Sequence, residues 1–328
     1  MRAAVIVKPT GPDGLRLQDE PDPLLGPEDL LVDVKATALN RADLSQVQGN
    51  YPAPAGVRND IPGLEMSGVV LKVGPRAFGF KEGDRVFALL SGGGYASRVA
   101  LHHRMALPIS PNLDFRQAAA VPEVFFTAFD ALFNHCNLKM GESALIHAGG
   151  SGVGTAAIQL AKRAGAFTFA TLGSDDKLAK AKALGLDVGI NYNTHDFAQV
   201  IKERTQGRGV DVILDVIGAP YWTRNLTSLA VQGRMVIVGT LGGGDLPNAD
   251  LRQLMPKRLQ VKGTVLRARP LEEKIALTRQ FDKHVLPHLA SGAIKPVIDR
   301  VFPLSHAPDA LKYMSTNANF GKIVLSID

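Results

Sequence analysis

The sequence has little of several features whose scarcity narrows its class. Only one of its 328 residues is cysteine, Cys136, so the chain can form no internal disulfide and supply no cysteine-rich zinc site. No segment reaches the roughly 18 apolar residues that a membrane span needs, and no apolar core precedes a cleavage-like site near the start. Aromatic residues make up only 6% of the chain, and the net charge of +6 contains no basic run. These absences predict an untargeted cytoplasmic protein whose charge favours anionic partners such as phosphates.

What is present is typical of a globular chain with two domains, at 45% hydrophobic and 21% charged residues. Residues 1–122 contain short apolar segments separated by turn residues, which indicates an antiparallel, barrel-like domain. A long loop rich in proline and glycine is predicted over residues 49–63, and loops of this length are often functional. The predicted strands of this part are AAVIV (3–7), LLVDVKATAL (30–39), EMSGVVLKVG (65–74) and DRVFALL (84–90).

Residues 123–263 alternate between short apolar strands and helices, the pattern of a doubly wound parallel sheet. The predicted strands are ESALIHAG (142–149), AFTFATLG (166–173), DVGINY (187–192), VDVILDVIG (210–218) and GRMVIVGTLG (233–242). Residues 264–328 add a helix over 271–292 and strands over 297–304 and 321–327, which we expect to complete the first domain. The fold class is therefore α/β: a β-rich domain from 1–122 and 264–328, and a parallel-sheet domain from 123–263.

A glycine-rich turn links the first strand of the second domain to a helix, in ALIHAGGSGVGTAAIQLAKRAGA. The helix has apolar residues at i, i+3 and i+4 spacing, and its first N–H groups have no partner within the helix. Such a turn can hold a pyrophosphate through the backbone of Gly152 and Val153 and the hydroxyl of Ser151. Strict G-x-G-x-x-G spacing is not met, because Ser151 occupies the third position counted from Gly149.

The end of the next strand indicates which dinucleotide is bound. Gly173 and Ser174 stand there, followed one helical turn later by Lys177, which leaves room and a positive charge for the 2′-phosphate of NADPH. Asp175 and Asp176 leave an alternative open: either could accept from an NAD ribose hydroxyl, or both could cap the following helix. Tyr192 ends the third strand and could stack on the same adenosine end.

Several strings together resemble the medium-chain dehydrogenase/reductase superfamily: ALNRADLSQVQGNYPAP, PGLEMSGVV, GDRVFALL, GGGYASRVA, AAAVPEVFFTAF, HAGGSGVGTAAIQLAK and NFGKIVL. The chain is most similar to its zinc-independent quinone oxidoreductase branch, the zeta-crystallin type, and within it to the tumour-suppressor-inducible NADPH:quinone oxidoreductases. The resemblance implies a GroES-like catalytic domain formed by both chain ends, a Rossmann domain that binds NADPH, a cofactor cleft, and a homodimer that could extend to a tetramer.

The zinc ligands of the alcohol dehydrogenases in this superfamily are missing from the corresponding positions. Their GHE motif reads Gly63-Leu64-Glu65 here, and Asn40 replaces the early cysteine. His284 and His288 have i, i+4 spacing, but Pro287 interrupts that turn and no third ligand is evident. We therefore expect no metal, and an electron-poor quinone, which can accept a hydride directly, fits better than a secondary alcohol.

The resemblance also implies the site residues. Asn40 and Tyr51 are the candidate catalytic donors, with Tyr51 on the proline-rich loop and its phenol directed to a quinone oxygen. Thr127 matches a threonine near the nicotinamide. The further cofactor contacts are Ser151, Gly152, Val153, Gly173, Ser174, Lys177 and Tyr192, and, with a looser match, Gly239, Thr240, Leu241, Val265, Leu266, Arg267 and Asn319.

Three functions remain open from the sequence. The leading one is NADPH-dependent reduction of quinones, with ortho-quinones favoured by the resemblance and the number of electrons per step undecided. The second is reduction of an enone or 2-alkenal, which needs a proton source such as Tyr51. The third is a non-catalytic protein that binds NADPH and single-stranded nucleic acid, against which the sparse aromatic residues argue.

Overall fold

The chain forms two compact units. The computed structural model describes residues 1–247 and 249–327. Met1–Phe126 and the segment from Leu266 onward form unit 1, and Thr127–Val265 form unit 2. The divisions lie a few residues further along the chain than the predicted boundaries at 122/123 and 263/264, and the first of them falls within a helix, Pro122–Phe129.

The strands alternate with helices through the middle of the chain and cluster at its two ends. In chain order the strands are β1 (Arg2–Ile6), β2 (Leu15–Asp19), β3 (Asp29–Ala38), β4 (Glu65–Val73), β5 (Arg85–Leu89), β6 (Arg98–His102), β7 (Ala106–Pro108), β8 (Ser143–Ile146), β9 (Phe167–Leu172), β10 (Val188–Asn191), β11 (Val210–Asp215), β12 (Leu229–Ile237), β13 (Gln260–Gly263), β14 (Ile298–Pro303) and β15 (Lys322–Ser326).

The helices are α1 (Arg41–Val47), α2 (Phe115–Ala119), α3 (Pro122–Phe129), α4 (Gly152–Arg163), α5 (Asp175–Ala183), α6 (Phe197–Arg204), α7 (Trp222–Ser228), α8 (Leu271–His284), α9 (Leu286–Ala290) and α10 (Ala307–Ser315). A π-helical segment, Asp130–His135, follows α3. Short 3₁₀ turns lie at Pro12–Gly14, His103–Met105, Ala219–Tyr221, Leu251–Leu254 and Leu304–His306.

Unit 1 is built on a sheet in the order β14-β15-β3-β4-β5-β7, with β6 paired to β3. All of these pairs are antiparallel, as predicted, except that β14 and β15 are parallel. β1 and β2 form a separate antiparallel hairpin. Because β15 lies between β14 and β3, the last strand of the chain is placed inside the sheet that the first part of the chain begins.

Unit 2 is a parallel sheet in the order β10-β9-β8-β11-β12-β13. The predicted doubly wound arrangement is confirmed, since the chain moves outward from β8 to β10 and then returns to the other side of β8 with β11. The apolar core of the unit includes Leu145, Phe169, Phe197, Ile213 and Met235. Six apolar residues follow the i, i+3, i+4 spacing along this helix: Ala156, Ala157, Leu160 and Ala161 are buried, whereas Val153 and Ala164 are half-buried.

One predicted helix is wrong in its extent. The segment 271–292 is not continuous, because α8 ends at His284 and α9 begins at Leu286. Pro287 has no backbone N–H to donate to the preceding turn, which explains the break. His284 and His288 therefore lie on different helices, and their i, i+4 spacing does not form one face. No helix among residues 1–247 and 249–327 combines the length and apolar character that crossing a membrane requires.

Candidate functional site

The glycine-rich turn after β8 has the geometry of an anion-binding helix start. Ser151 caps α4: its Oγ accepts from the Gly154 N–H at 3.0 Å. The N–H groups of Gly152 and Val153, in the first turn, have no intrahelical acceptor by helix geometry. A Cβ at Gly149 would lie 2.8 Å from the Ala170 Cβ, and one at Gly154 would lie 2.3 Å from the Ala148 carbonyl oxygen. The turn can therefore pack this closely only with glycine at these two positions.

This turn lies where the direction of the sheet reverses. β8 pairs with β9 on one side and with β11 on the other. The strands that follow β8 are added first on the β9 side and then on the β11 side. In open α/β sheets, ligands bind at the carboxyl ends of the strands at such a switch point. The ends of β8, β9, β10, β11 and β12 share this edge because the strands are parallel.

The residues predicted for the phosphate-bearing ribose lie together at the ends of β9 and β10. A Cβ at Gly173 would lie 2.6 Å from the Tyr192 hydroxyl oxygen, so the ring of Tyr192 lies directly against Gly173. Ser174 caps α5, with its Oγ accepting from the Lys177 N–H at 3.3 Å. Lys177 is half-buried and Tyr192 is 48% exposed. The edge thus presents a small residue, a hydroxyl, an ammonium and an aromatic face.

One of the two alternatives from the sequence made Asp175 and Asp176 the caps of the following helix. This is wrong, because the N-cap of α5 is Ser174. Asp175 accepts from the Asn191 side chain at 2.9 Å. Asp176 pairs with Lys180 at 2.8 Å on the exposed face of α5. Both carboxylates still lie in the first turn, where the helix dipole favours negative charge.

The end of β12 folds back against the end of β11. The Leu241 N–H donates to the Val216 carbonyl at 3.0 Å, and Gly218 is so close to Thr240 that a Cβ there would lie 3.1 Å from the Thr240 Cβ. Gly239 is half-buried, whereas Thr240 and Leu241 are exposed. The predicted segment 239–241 therefore belongs to the same edge of the sheet as the glycine-rich turn.

A buried polar network of His147, Thr171, Asn225 and Asp215 lies next to this edge of the sheet, and we call it the His147 network. His147 follows β8, and its two ring nitrogens lie 3.0 Å from the Thr171 hydroxyl and 2.7 Å from Asn225 Oδ1. The Asn225 amide donates to Asp215, whose carboxylate accepts from the backbone of Ile217 and Gly218. Burial lowers the pKa of His147 to about 4, so the imidazole is neutral near pH 7.

In unit 1 a second set of buried polar groups surrounds the start of β15. The Lys322 ammonium donates to the Leu39 carbonyl at 2.5 Å, to Asn40 Oδ1 at 2.7 Å and to Glu65 Oε1 at 2.7 Å. The other Glu65 oxygen accepts from the Glu123 N–H at 2.9 Å. Lys322 is 3% exposed and Glu65 is fully buried. We call Asn40, Glu65 and Lys322 the lysine cluster.

The structure changes the role of Asn40 from the one predicted. Its amide nitrogen donates to Glu65 Oε1 at 2.8 Å and to the Ala38 carbonyl at 3.3 Å, and its oxygen accepts from Lys322. Both amide hydrogens therefore have protein acceptors, and the side chain has none left to donate to a substrate. Asn40 is also only 8% exposed. Of the two predicted donors, Tyr51 is the one that stays a prediction.

The same cluster bears on zinc. A metal bound at the positions of Asn40 and Glu65 would lie beside the ammonium of Lys322, and both Glu65 oxygens already accept hydrogen bonds. Two cations at this spacing repel each other strongly in a buried site. Within residues 1–247 and 249–327, no three His, Cys, Asp or Glu side chains are grouped so as to hold a metal ion. These residues do not fit a zinc site.

Asp43 and Tyr95 extend the buried polar set. Asp43 Oδ2 accepts from the Tyr95 hydroxyl at 2.8 Å and from the Asn40 N–H at 2.8 Å. Asp43 Oδ1 is buried and has no partner among the described residues. Burial, with a smaller contribution from Glu65, raises the pKa of Asp43 to about 6, against the hydrogen bonds and the charge of Lys322. This carboxyl is held close to protonation at neutral pH.

The Glu123 carboxyl interacts electrostatically with the Tyr51 phenol. Burial, and next the charge of Glu65, raises the pKa of the half-buried Glu123 to about 8. Burial also raises the pKa of the Tyr51 phenol, and the Glu123 carboxyl adds to that shift. Within residues 1–247 and 249–327, neither the Tyr51 hydroxyl nor the Glu123 carboxyl has a hydrogen-bond partner. The phenol is therefore available to donate, and a protonated carboxyl stands near it.

The other predicted residues are found as follows. Thr127 is half-buried in α3. Val265 is 49% exposed, whereas Leu266 is buried. The Asn319 amide donates to the Gly321 carbonyl at 2.8 Å. The Arg267 guanidinium is buried and bonded to groups of its own unit, which are described below.

The sequence reasoning missed Lys322, Asp43, Glu123 and His147. The signal for Lys322 was present, because a lysine just before an apolar strand, in NFGKIVLSI, must place its charge at a strand start and needs a partner there. Asp43 and Glu123 gave no local signal, since each is an acidic residue in the first turn of a helix, where such residues are common.

Comparison with known proteins assigns the family. A model described as "Zinc-binding dehydrogenase" matches residues 152–281, and one described as "Alcohol dehydrogenase GroES-like domain" matches residues 26–111. With the parallel sheet of unit 2 and the β-rich unit 1, these matches define the class: the chain belongs to the medium-chain dehydrogenase/reductase superfamily, with a GroES-like and a Rossmann domain.

Within that superfamily the chain is an oxidoreductase similar to the quinone oxidoreductases. The quinone oxidoreductase of Rattus norvegicus is 30% identical over 99% of this chain and 97% of its own length. The narrower resemblance to the tumour-suppressor-inducible type stays a prediction.

Solved structures agree with the fold. A quinone oxidoreductase of Pseudomonas syringae has a TM-score of 0.87 at 30% identity, over 99% of both chains. A NAD-dependent alcohol dehydrogenase has a TM-score of 0.89 at 32% identity, over 100% of both chains. The CurK enoyl reductase has a TM-score of 0.87 at 27% identity, over 100% of this chain and 99% of that one.

Proposed function

We propose that this protein reduces quinones with NADPH, by hydride transfer that needs no metal ion. One observation carries the proposal: Lys322, bonded to Asn40 and Glu65, supplies the cation at the positions where the superfamily's zinc ligands would lie. A quinone accepts a hydride without the Lewis acid that an alcohol or ketone requires. The likeness to quinone oxidoreductases supports the same substrate class.

The cofactor site proposed for unit 2 consists of groups that fit a dinucleotide. The N–H groups of Gly152 and Val153, with the Ser151 hydroxyl, would hold the pyrophosphate at the start of α4. Gly173, Ser174, Lys177 and Tyr192 would hold the 2′-phosphate and the adenosine end, which favours NADPH over NADH. Thr127, Gly239, Thr240, Leu241, Val265, Leu266 and Asn319 remain proposed contacts of the nicotinamide half. NADPH supplies the hydride when bound.

The residues of unit 1 supply the polar half of the chemistry. Negative charge develops on a quinone oxygen as the ring is reduced, and a donor already in place stabilises that charge. Tyr51 is the donor, since its hydroxyl has no partner within the described part of the chain. The oxygen also takes up a proton, and the Glu123 carboxyl, with a pKa raised to about 8, is protonated at neutral pH. The lysine cluster holds Glu65 in place beside it, through the Lys322 ammonium and the Glu123 N–H.

The finer parts of the proposal rest on the resemblance. These are the preference for ortho-quinones, whose two adjacent oxygens could share the Tyr51 phenol, and a homodimer formed through the Rossmann units. β10 and β13 are the two edge strands of the unit 2 sheet, and a second copy would pair at one of them. Sedimentation of the purified protein tests the dimer directly.

A second candidate function is reduction of a carbon–carbon double bond beside a carbonyl. The similarity to the CurK enoyl reductase favours it. The hydride would go to the β-carbon, and the α-carbon would take a proton from Tyr51 or from water. The same residues would be used, so only the choice of acceptor separates the two functions.

The test is oxidation of the nicotinamide cofactor by EDTA-treated protein with different acceptors. NADPH and NADH are each compared with 1,2-naphthoquinone, a 2-alkenal and a ketone. Rapid loss of NADPH with the quinone supports the proposal, and turnover with the alkenal alone replaces it with the second function. Tight NADPH binding without turnover of any acceptor would contradict both, and a steep fall of single-stranded DNA binding with salt would then support a binding role.

The Tyr51→Phe variant tests the donor. Turnover with the quinone should fall about 100-fold while the Kd for NADPH is unchanged, because the lost hydrogen bond acts on the developing charge. Tyr313→Phe is the matched control, since the Tyr313 phenol donates to Asp299 on the surface of unit 1. Unchanged turnover of Tyr51→Phe would remove the phenol from the reaction.

A further inference from the structure

Arg267 makes an unusual set of contacts for a residue predicted to bind the cofactor. It is 5% exposed, and its guanidinium reaches three separate segments of unit 1. Its Nε donates to the Ser91 carbonyl at 2.8 Å, one terminal nitrogen to the Tyr51 carbonyl at 3.0 Å, and the other to Gln46 Oε1 at 2.8 Å. Each of its three nitrogens thus has a protein acceptor.

Arg267 also lies over the ring of Tyr51, with the guanidinium carbon 4.8 Å from the ring centroid. A cation over an aromatic face is attracted by the ring and excludes water from that side. Tyr51 is therefore held twice by one side chain, at its backbone carbonyl and at its ring face. Neither contact uses the hydroxyl. The two contacts with Arg267 therefore fix the direction of the Tyr51 ring and leave its hydroxyl available.

Gln46 connects Arg267 to Asn59, in the later part of the loop that carries Tyr51. Its amide nitrogen donates to the Asn59 carbonyl at 2.9 Å, while its oxygen accepts from Arg267. The Asn59 side chain in turn accepts from the Ala53 N–H at 2.7 Å. Gln46 is 3% exposed, so the link is buried. Arg267 and Gln46 together fasten both sides of the loop that carries Tyr51.

We propose that Arg267 is a positioning residue, which holds the Tyr51 phenol in the direction from which it donates to the substrate oxygen. This inference rests on the proposed function of Tyr51. It differs from the predicted cofactor contact, because three of the five guanidinium N–H groups donate to Ser91, Tyr51 and Gln46 of unit 1. Its charge also opposes burial and the carboxyls of Glu123 and Asp43, which raise the pKa of Tyr51.

A double-mutant cycle separates positioning from general stability. Arg267→Met should lower kcat with the quinone about 10- to 100-fold, with the KM for NADPH unchanged, because a misplaced donor loses its effect in the transition state. In the Tyr51→Phe background the same substitution should lower kcat less than about twofold, because the group it positions is gone. Arg267→Lys should restore part of the loss, since it returns the charge but not the fork of donors.

Lys274→Met is the matched control. The Lys274 ammonium donates to the Ser91 hydroxyl at 2.5 Å and is half-buried, but it does not contact Tyr51. We expect it to keep wild-type kcat. Equal losses from Arg267→Met with and without the Tyr51 hydroxyl would overturn the proposal, as would a rise confined to the KM for NADPH, which would return Arg267 to the cofactor site.

A readout without turnover keeps this test separate from the proposed function. The chain has five tyrosines, so the difference in tyrosinate absorbance between the wild type and Tyr51→Phe isolates the ionisation of Tyr51. In Arg267→Met this ionisation should move to higher pH, because the nearby cation is gone. If Tyr51→Phe leaves turnover intact, the donor role fails, yet this shift would still show Arg267 acting on Tyr51. No shift would contradict the proposal.

Discussion

The two units each bury a polar network, and the two networks differ in charge. In unit 1, three carboxyls, Asp43, Glu65 and Glu123, interact with the ammonium of Lys322, which is ion-paired with Glu65. In unit 2, the His147 network pairs a neutral imidazole with a hydroxyl, an amide and one carboxyl. Burial raises the pKa values of Asp43 and Glu123 to about 6 and 8, but lowers that of His147 to about 4.

The difference teaches which network can exchange protons. A group whose pKa lies near the working pH gains and loses a proton readily, and this is what acid–base chemistry requires. Burial, with a smaller contribution from the charge of Glu65, produces such groups in unit 1. The His147 network keeps one protonation state at neutral pH, and its hydrogen bonds hold the edge of the sheet in place. The network of unit 1 therefore has the pKa values that proton transfer requires, whereas the His147 network has a structural role at the carboxyl ends of the strands.

Removing the cation of unit 1 should have the largest effect. Lys322→Met leaves Glu65 buried without its ion pair, and we expect the free energy of unfolding to fall by about 3–5 kcal/mol. Urea unfolding measures this. The control is Lys312→Met, which removes an exposed partner of Asp13 and should leave the urea midpoint unchanged. A midpoint of Lys322→Met equal to that of the control would show that the lysine cluster does not stabilise unit 1.

The His147 network should weaken stability on the acid side. The pKa of His147 is 6.5 in the unfolded chain and about 4 in the folded one, so between these values the unfolded state binds a proton that the native state does not. The free energy of unfolding should therefore fall by about 3 kcal/mol as the pH drops from 6.5 to 4. In His147→Gln this part of the pH dependence should vanish. An identical slope in both proteins would contradict the assignment.

Glu123 should act in the opposite direction on the basic side. Its pKa rises from 4.5 in the unfolded chain to about 8 in the folded one, so the native state keeps a proton that the unfolded state releases in that window. Wild-type stability then falls as the pH rises from 5 to 8, and Glu123→Gln, which cannot ionise, should gain on the wild type by about 3 kcal/mol across it. Glu273→Gln, on the exposed side of α8, is the control and should follow the wild type at every pH.

The smallest expected effect concerns the cofactor edge itself. Lys177→Ala should raise the KM for NADPH about tenfold and leave that for NADH nearly unchanged, because the ammonium would contact the 2′-phosphate, which NADH lacks. Lys180→Ala, one turn further along α5 and paired with Asp176, should affect neither. Equal effects of Lys177→Ala on both cofactors would rule out the 2′-phosphate assignment.

Much of unit 2 could be predicted from the sequence because its signals are local. The glycine-rich turn, its helix and the apolar strands are each defined within about a dozen residues, and the parallel sheet follows from their alternation. In unit 1 the predicted strands β3, β4 and β5 are present, but β2, β6 and β7 were missed. These three are short strands of three to five residues whose place depends on the neighbours they pair with.

For the candidate site of unit 1, the sequence indicated which residues lie together better than it indicated what their side chains bond to. Asn40 and Glu65 were singled out together, and the structure bonds them to each other. Their third partner is 282 residues from Asn40 along the chain, so no spacing rule could connect them. Only the count of donors and acceptors in the folded structure shows that the Asn40 amide is already used. For Tyr51 the same count leaves the hydroxyl free.

The position of β15 has a consequence for how the chain is made. Unit 2 is continuous, so all of its strands leave the ribosome in one stretch and can pair at once. Unit 1 must wait, because β3 takes β15 as a neighbour and Glu65 takes its ammonium from the first residue of that strand. Although most of its strands are synthesised first, unit 1 is completed last. Until then, carboxyls that will be buried in the folded unit, such as that of Glu65, are solvated by water.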